Sequence, residues 1–260
     1  MVEPFLPVFE IILIFYVGAV LGSFSTALIY RVPRGIKWWG AERSKCPSCK
    51  TILSFFDLIP ILSWCMFLGK CRHCKVQISA RYPLVELSSA LVCVGAYIVF
   101  GLSYELLFII AASPFLFSLF FIDLKHMILP NQLVFILLVI GVMRLFYFSA
   151  VGVFTQVEDL VIPYILGACL YAVLPWGIGW GMTKILKKES LGFGDVKFFF
   201  VSGIWLGLEA LPYFMMLSGG LAVFYALALK MLNKGEQFPF GPALIASFYF
   251  LILFQGSFLA

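Results

Sequence analysis

The stretch Gly192-Phe-Gly-Asp-Val-Lys-Phe-Phe-Phe-Val-Ser-Gly-Ile-Trp-Leu-Gly207 decides how this chain is folded. Its apolar part, Val196–Gly207, is shorter than the roughly 20 residues that a helix needs to cross a bilayer. Either it is a helix of its own that starts deeper in the protein, or it merges through Glu209 and Pro212 with the apolar run that follows. The first reading makes eight helices. The second makes seven and moves the C-terminus to the other side of the membrane.

Seven longer apolar runs surround it: Val8–Tyr30, Leu84–Phe100, Leu106–Ile122, Leu133–Phe148, Val161–Ile185, Leu211–Leu229 and Phe240–Phe258. The chain of 260 residues is 63% hydrophobic and only 12% charged, against about 25% charged in soluble domains. Mean hydropathy is +1.05. These values exclude an ordinary soluble domain and predict an all-α polytopic membrane protein of about eight transmembrane helices.

Charge decides between seven and eight. Lys and Arg in short loops stay on the cytoplasmic side, and most of the 18 lie between Arg31 and Arg81. Lys125, Lys184, Lys187, Lys188, Lys197, Lys230 and Lys234 flank alternate later loops, whereas Glu105, Glu158, Asp159 and Glu209 fall in the opposite ones. Arg144 alone breaks the alternation. Eight helices alternate the charges correctly and seven do not. No Lys or Arg precedes the first apolar run, so a cleaved signal peptide is not expected and the N-terminus is expected outside the cytoplasm. The net charge of +5 belongs to membrane flanks, which points to anionic lipid headgroups and not to nucleic acid. No internal repeat and no low-complexity segment stands out.

The polar insertion at 31–83 carries Cys46-Pro-Ser-Cys49 and Cys71-Arg-His-Cys74. Four thiolates in two CxxC knuckles suit tetrahedral zinc. Disulfides are the rival reading, but the loop is assigned to the cytoplasm, where they rarely persist. A closed four-cysteine site leaves no open coordination position, so the metal is expected to be structural. His73 is expected to face solvent. Cys65, Cys93 and Cys169 are expected to be packing residues, and the apolar stretch Leu58–Leu68 to pack on the knuckle or lie at the headgroup interface.

Two carboxylates then stand out, Asp123 in Phe121-Ile-Asp-Leu-Lys-His126 and Asp195 in the opening stretch. Each has a bland reading, Asp195 as a helix N-cap and Asp123 as an interfacial residue near Lys125. Yet ionisable residues in membrane segments are usually functional, and on the eight-helix topology both lie at the cytoplasmic face. Two carboxylates sharing a site cannot both ionise cheaply, so one keeps a proton and the other serves as base. Such a pair can activate water while the protonated partner polarises a peptide carbonyl. His126 can assist, though a charged interface position suits it better. No serine or cysteine nucleophile with an adjacent His is apparent.

Gly192-x-Gly194-Asp195 resembles the GxGD motif of the prepilin peptidases, the bifunctional leader peptidases and N-methyltransferases of bacterial type IV pilus and type II secretion systems. Asp123-Leu-x(4)-Leu129-Pro130 is similar to the partner aspartate motif. Gly22-Ser-Phe24 with Tyr30-Arg31-x-Pro33, the cysteine loop with Asp57-Leu-Ile-Pro60 and Leu62-Ser-Trp64, Arg81-Tyr-Pro-Leu-Val-Glu86 and Pro239-Phe-Gly-Pro242 resemble further family signatures in order. Two positions depart: Ser25-Thr26-Ala27 replaces a common Leu-Asn-Val, and Asn131 stands where Asp is frequent.

The resemblance implies a first helix at 1–30, a methyltransferase-associated zinc insertion at 31–83, and a peptidase body at 84–260. It implies a multi-pass enzyme of the bacterial inner membrane. That enzyme cleaves the basic leader of prepilins or pseudopilins after Gly at the cytoplasmic face, then methylates the new N-terminus with S-adenosylmethionine. Asp123 and Asp195 would be catalytic. Gly192, Gly194, Lys197 and Glu86 would support substrate or site, Glu86 having an ion pair with Arg81 as its alternative. Cys46, Cys49, Cys71 and Cys74 would hold Zn2+. Pro239-Phe-Gly-Pro242 would close the site beside Asp195 or simply start a helix. A peptidase without methylation, a transporter with intramembrane carboxylates and a zinc-stabilised scaffold are the alternatives. The apolar helix centres disfavour the transporter.

Overall fold

The computed structural model describes residues 6–39, 43–152, 161–187, 191–232 and 238–259. Long helices run over α1 (Leu6–Arg31), α3 (Arg81–Phe100), α4 (Tyr104–His126), α5 (Asn131–Ala150), α6 (Gly167–Leu186, entered through a π-turn at Val161–Leu166), α7 (Phe193–Leu206), α8 (Leu211–Met231) and α9 (Gly241–Leu259). A five-residue helix, α2 (Leu62–Met66), lies in the insertion. Among the described residues, six spans, centred on α1, α3, α4, α5, α6 and α8, are long and apolar enough to cross a membrane. With α7 and α9 they make the eight expected helices of a multi-pass membrane protein.

Gly207 settles the choice posed by the opening stretch. It adopts φ +74° and its N–H bonds back to Gly203 O at 2.9 Å, a conformation that suits glycine and stops a helix. A 3-10 turn, Leu208–Ala210, then leads into α8. The short helix is therefore separate, and it begins three residues before its apolar run, taking Asp195 into its first turn.

The chain divides within α4 into two compact units, Met1–Ser118 and Leu119–Ala260. In the first, α1 packs along α3 through small residues. A Cβ on Gly18 would lie 2.8 Å from Ala90 Cα, and one on Gly22 would lie 2.7 Å from Glu86 Cα. In a bilayer, where lipid is as apolar as Leu, such close backbone approach is what holds helices together. Tyr97 donates its hydroxyl hydrogen to Glu10 at the far end of the same pair. Pro114 interrupts α4, and the Ile110 carbonyl that loses its partner accepts the Ser113 hydroxyl at 2.8 Å, the usual repair of a broken membrane helix.

In the second unit α7 is buried on nearly every side, from Phe198 and Phe199 to Val201 and Leu206. Trp205 near its end donates Nε1–H to Leu137 O of α5 at 3.1 Å. Arg144, the residue that breaks the charge alternation, has a specific place here. Its guanidinium stacks on the Trp205 ring at 5.6 Å and donates to Trp205 O at 3.4 Å, so a cation meets the carbonyl end of α7.

Of the three cysteines expected to pack, Cys93 is buried, but Cys65 and Cys169 are exposed. Cys65 lies on a five-residue helix too short to bury two faces. Cys169 points outward from a helix that is apolar all round, where no core is needed.

Candidate active site and metal centre

Asp123 occupies the last turn of α4 and is 4% exposed. The backbone N–H of Gly241, first residue of α9, donates to its Oδ2 at 2.9 Å. A Cβ on Gly241 would sit 2.6 Å from that oxygen and 2.8 Å from Cγ, so only glycine lets the helix start reach the carboxylate. Pro239-Phe-Gly-Pro242 therefore reaches Asp123, where the sequence suggested Asp195. Met127, with φ +54°, ends α4 one turn later, and Pro130 caps α5.

Asp195 is the third residue of α7, half-buried, with Gly192 as N-cap. Its own N–H bonds to Gly192 O at 3.1 Å. The two glycines of the motif do different things. A Cβ on Gly192 would meet Asp195 Oδ2 at 3.0 Å, whereas one on Gly194 would meet Leu129 Cβ at 3.2 Å. Gly194 thus brings the start of α7 against the Leu129-Pro130 turn that follows Asp123. Asp195 therefore lies in the helix turn that packs on the residues leaving the Asp123 end of α4.

Lys197 does not pair with either acid. Its ammonium donates to Asn131 Oδ1 at 2.7 Å and lies 4.7 Å from the Phe193 ring centre. Asn131 is the position where the resembling family often carries Asp, so this chain keeps an acceptor there without the charge. His126 is exposed in the last turn of α4.

The insertion of the first unit folds as two copies of one knuckle. In the first, Cys46 N–H bonds to Thr51 O and Lys50 N–H to Cys46 O; in the second, Cys71 N–H bonds to Val76 O and Lys75 N–H to Cys71 O. Lys50 and Lys75 take matching φ of 60° and 59°. Lys-Cys-x-x-Cys-Lys at 45–50 and 70–75 is therefore an internal repeat six residues long, where none was expected.

The four Sγ atoms of Cys46, Cys49, Cys71 and Cys74 all lie within 4.8 Å of one another, and the Cys46 and Cys74 sulfurs are 3.9 Å apart. A tetrahedron with bonds of about 2.3 Å has edges near 3.8 Å, whereas a disulfide needs about 2.05 Å; all seven cysteines are free. The Thr51 hydroxyl and N–H hold the Cys49 thiol down at about 6, and the Cys74 and His73 amides lower Cys71. Lys45, Lys50, Lys70 and Lys75 supply positive charge around the cluster. The donor set can hold a metal ion. His73 is exposed and outside it.

Trp64 ties the middle of the insertion to the second knuckle, with Nε1–H donated to Ile78 O at 3.1 Å and its ring beneath Gly69. Glu86, 8% exposed on α3, accepts the Ile61 N–H at 2.7 Å. It makes no ion pair with Arg81 among the described residues.

The order of these features along the chain matches known proteins. Residues 16–100 match the bacterial peptidase A24 N-terminal domain, and residues 107–227 match the type IV leader peptidase family. The prepilin leader peptidase/N-methyltransferase of Aeromonas hydrophila is 34% identical, over 94% of this chain and 91% of its own. The chain belongs to the type IV leader peptidase family. Another member, the prepilin leader peptidase/N-methyltransferase of Vibrio cholerae, is 31% identical over 92% of this chain and 94% of its own. The type 4 prepilin-like proteins leader peptide-processing enzyme of Escherichia coli O78:H11 is 33% identical over 91% and 93%. No solved structure matches.

Gly241, which contacts Asp123, was not among the expected site residues of this leader peptidase family member. Its signal was available: a glycine between Phe240 and Pro242 at a helix start, where no turn requires one.

Proposed function

We propose that this protein is an inner-membrane prepilin peptidase that removes the basic leader of prepilins or pseudopilins and then methylates the exposed N-terminal amine. The observation that supports the proteolytic half is the Gly194–Leu129 contact, which sets the helix turn holding Asp195 against the turn that follows Asp123. One carboxylate takes a proton from water as the oxygen attacks the scissile carbonyl, and its protonated partner donates to the carbonyl oxygen. Collapse of the tetrahedral adduct breaks the C–N bond, and the amine leaves with a proton from the pair. The dyad titrates as a unit, so the base belongs to the pair and not to one residue.

Gly241 N–H orients Asp123, Gly192 keeps the approach to Asp195 open to substrate backbone, and Gly194 lets the start of α7 close on Leu129. Lys197, held by Asn131, supports the α5–α7 edge of the site. The basic loops favour an active site at the cytoplasmic face and an N-terminus outside. A leader of Lys and Arg then stays in the cytoplasm while its apolar helix lies in the bilayer.

The insertion at 31–83 would carry a structural Zn2+ on Cys46, Cys49, Cys71 and Cys74 and serve the methyltransferase half, with 84–260 as the peptidase body. S-adenosylmethionine supplies an electrophilic methyl group, and the protein's part is to present a neutral amine in line with it. Incubating the purified protein with a prepilin and labelled S-adenosylmethionine, with leader loss and methyl incorporation read separately, tests both halves. Cleavage without label leaves a peptidase only.

A further inference from the structure

The methyltransferase half of this reading lacks a place for its donor, and the first unit contains a cavity with the right chemistry. A space of about 280 Å³ lies between one stripe of α1, formed by Tyr16, Val20, Ser23 and Phe24, and the turn from Phe55 to Pro60. Tyr16, Phe24 and Phe55 give it aromatic walls. The volume falls just below the roughly 300–1,000 Å³ of whole-ligand pockets, so it holds part of a ligand and leaves the remainder at the open side.

Behind the wall stands Glu86. Its carboxylate accepts the Ile61 N–H at 2.7 Å and is approached by the Ser23 hydroxyl, and no cation among the described residues pairs with it. A carboxylate held away from water without a counter-charge is costly. The backbone opposite is strained as well. Ile61 has φ +62° and ψ −52°, and Leu62 N–H bonds to Pro60 O at 2.5 Å around it. A β-branched residue at positive φ is a true outlier, and such strain persists where the surroundings enforce it, commonly at ligand sites. Here Glu86 enforces it by holding the Ile61 N–H.

An uncompensated acid behind aromatic walls attracts a cation carried on an apolar body. We infer that this cavity binds the sulfonium end of the methyl donor, with Ser23, Tyr16 and Phe24 lining it and Glu86 supplying the charge. The assignment rests on the methyltransferase reading. It concerns recognition of a positive charge, which two groups in the reaction can present: the donor sulfonium and the free amine of the processed substrate.

Titration calorimetry of the full-length protein in detergent separates these. S-adenosylmethionine and S-adenosylhomocysteine differ by a methyl group and the sulfonium charge. In Glu86→Gln the amide oxygen still accepts the Ile61 N–H, so the turn is kept and only charge is removed. The variant is expected to weaken the donor by about tenfold or more, through loss of one attraction between opposite charges, and to leave the neutral thioether within about twofold. Tyr16→Leu is expected to act in the same direction. A free-amine peptide matching the processed N-terminus is expected to bind Glu86→Gln and the parent alike, within about twofold. An unchanged ratio of donor to thioether affinity in both variants overturns the site, as does a peptide that loses affinity with the donor. If the parent protein binds neither adenosyl compound, the methyltransferase reading itself falls.

Discussion

The backbone amide of Gly241 donates a 2.9 Å hydrogen bond to Oδ2 of Asp123, at a point where a Cβ would lie 2.6 Å from the same oxygen. Residues 118 positions apart in sequence therefore depend on one another: the start of α9 orients a buried carboxylate at the end of α4.

Gly241→Ala is expected to push the Asp123 carboxylate off this amide while the protein still inserts and folds. A hydrogen bond to a charged group is worth about 1.5–3 kcal/mol, which corresponds to roughly a 10- to 150-fold fall in kcat/KM for leader cleavage. Gly194→Ala, where the nearest atom of Leu129 is 3.2 Å away, is expected to cost less because a side chain can give way. Kinetics on a purified prepilin check both, and a Gly241→Ala enzyme of normal rate would show that the amide does not orient a catalytic group.

The cysteine cluster predicts metal content with a definite pH dependence. Cys49, held at about 6, is thiolate at neutral pH and becomes protonated as pH falls through that value; thiols with higher values protonate sooner. Protons thus compete with metal for every ligand, and affinity falls as pH falls. Competition with a chromophoric chelator is expected to give one zinc per protein and an affinity at least about tenfold lower at pH near 6 than near 8. Cys46→Ser or Cys71→Ser is expected to lose the metal and make the insertion sensitive to protease, with methylation suffering at least as much as cleavage.

Much of this architecture was readable in advance, and for a physical reason. In a bilayer each spanning segment must satisfy its own backbone, so apolar runs map onto helices almost one to one, and the two aspartates stood out because charge is costly there. The alternation of basic loops was enough to separate α7 from α8. The less readable features are interactions between segments. Gly18 and Gly22 look like two of many glycines until α3 lies against them, and Gly241 has no local reason to be glycine. Arg144 violates the loop-charge pattern because its partner, the end of α7, is distant in sequence. The expectation that Cys65 and Cys169 pack inside failed for two reasons: a five-residue helix cannot bury two faces, and a membrane helix need not bury its apolar residues in protein.

Arg144 gives a prediction about stability. Arg144→Leu removes the contact to Trp205 O and the stacking on its ring, and Trp205→Phe leaves Leu137 O without its buried donor. Each is expected to lower stability by about 1–3 kcal/mol, read as a lower thermal midpoint in detergent. Because both act at the same helix end, the double variant is expected to cost less than the two combined. Strict additivity would place Arg144 outside the Trp205 interaction.

The most direct measurement is the rate of prepilin cleavage by purified Asp123→Asn and Asp195→Asn, compared with the parent enzyme under conditions where all three are inserted and monodisperse. Acid–base catalysis by one side chain contributes about 10²–10⁴-fold, so each variant is expected to lose at least that much and leave the precursor at full length. Processing at the parental rate by either variant would contradict the aspartate dyad.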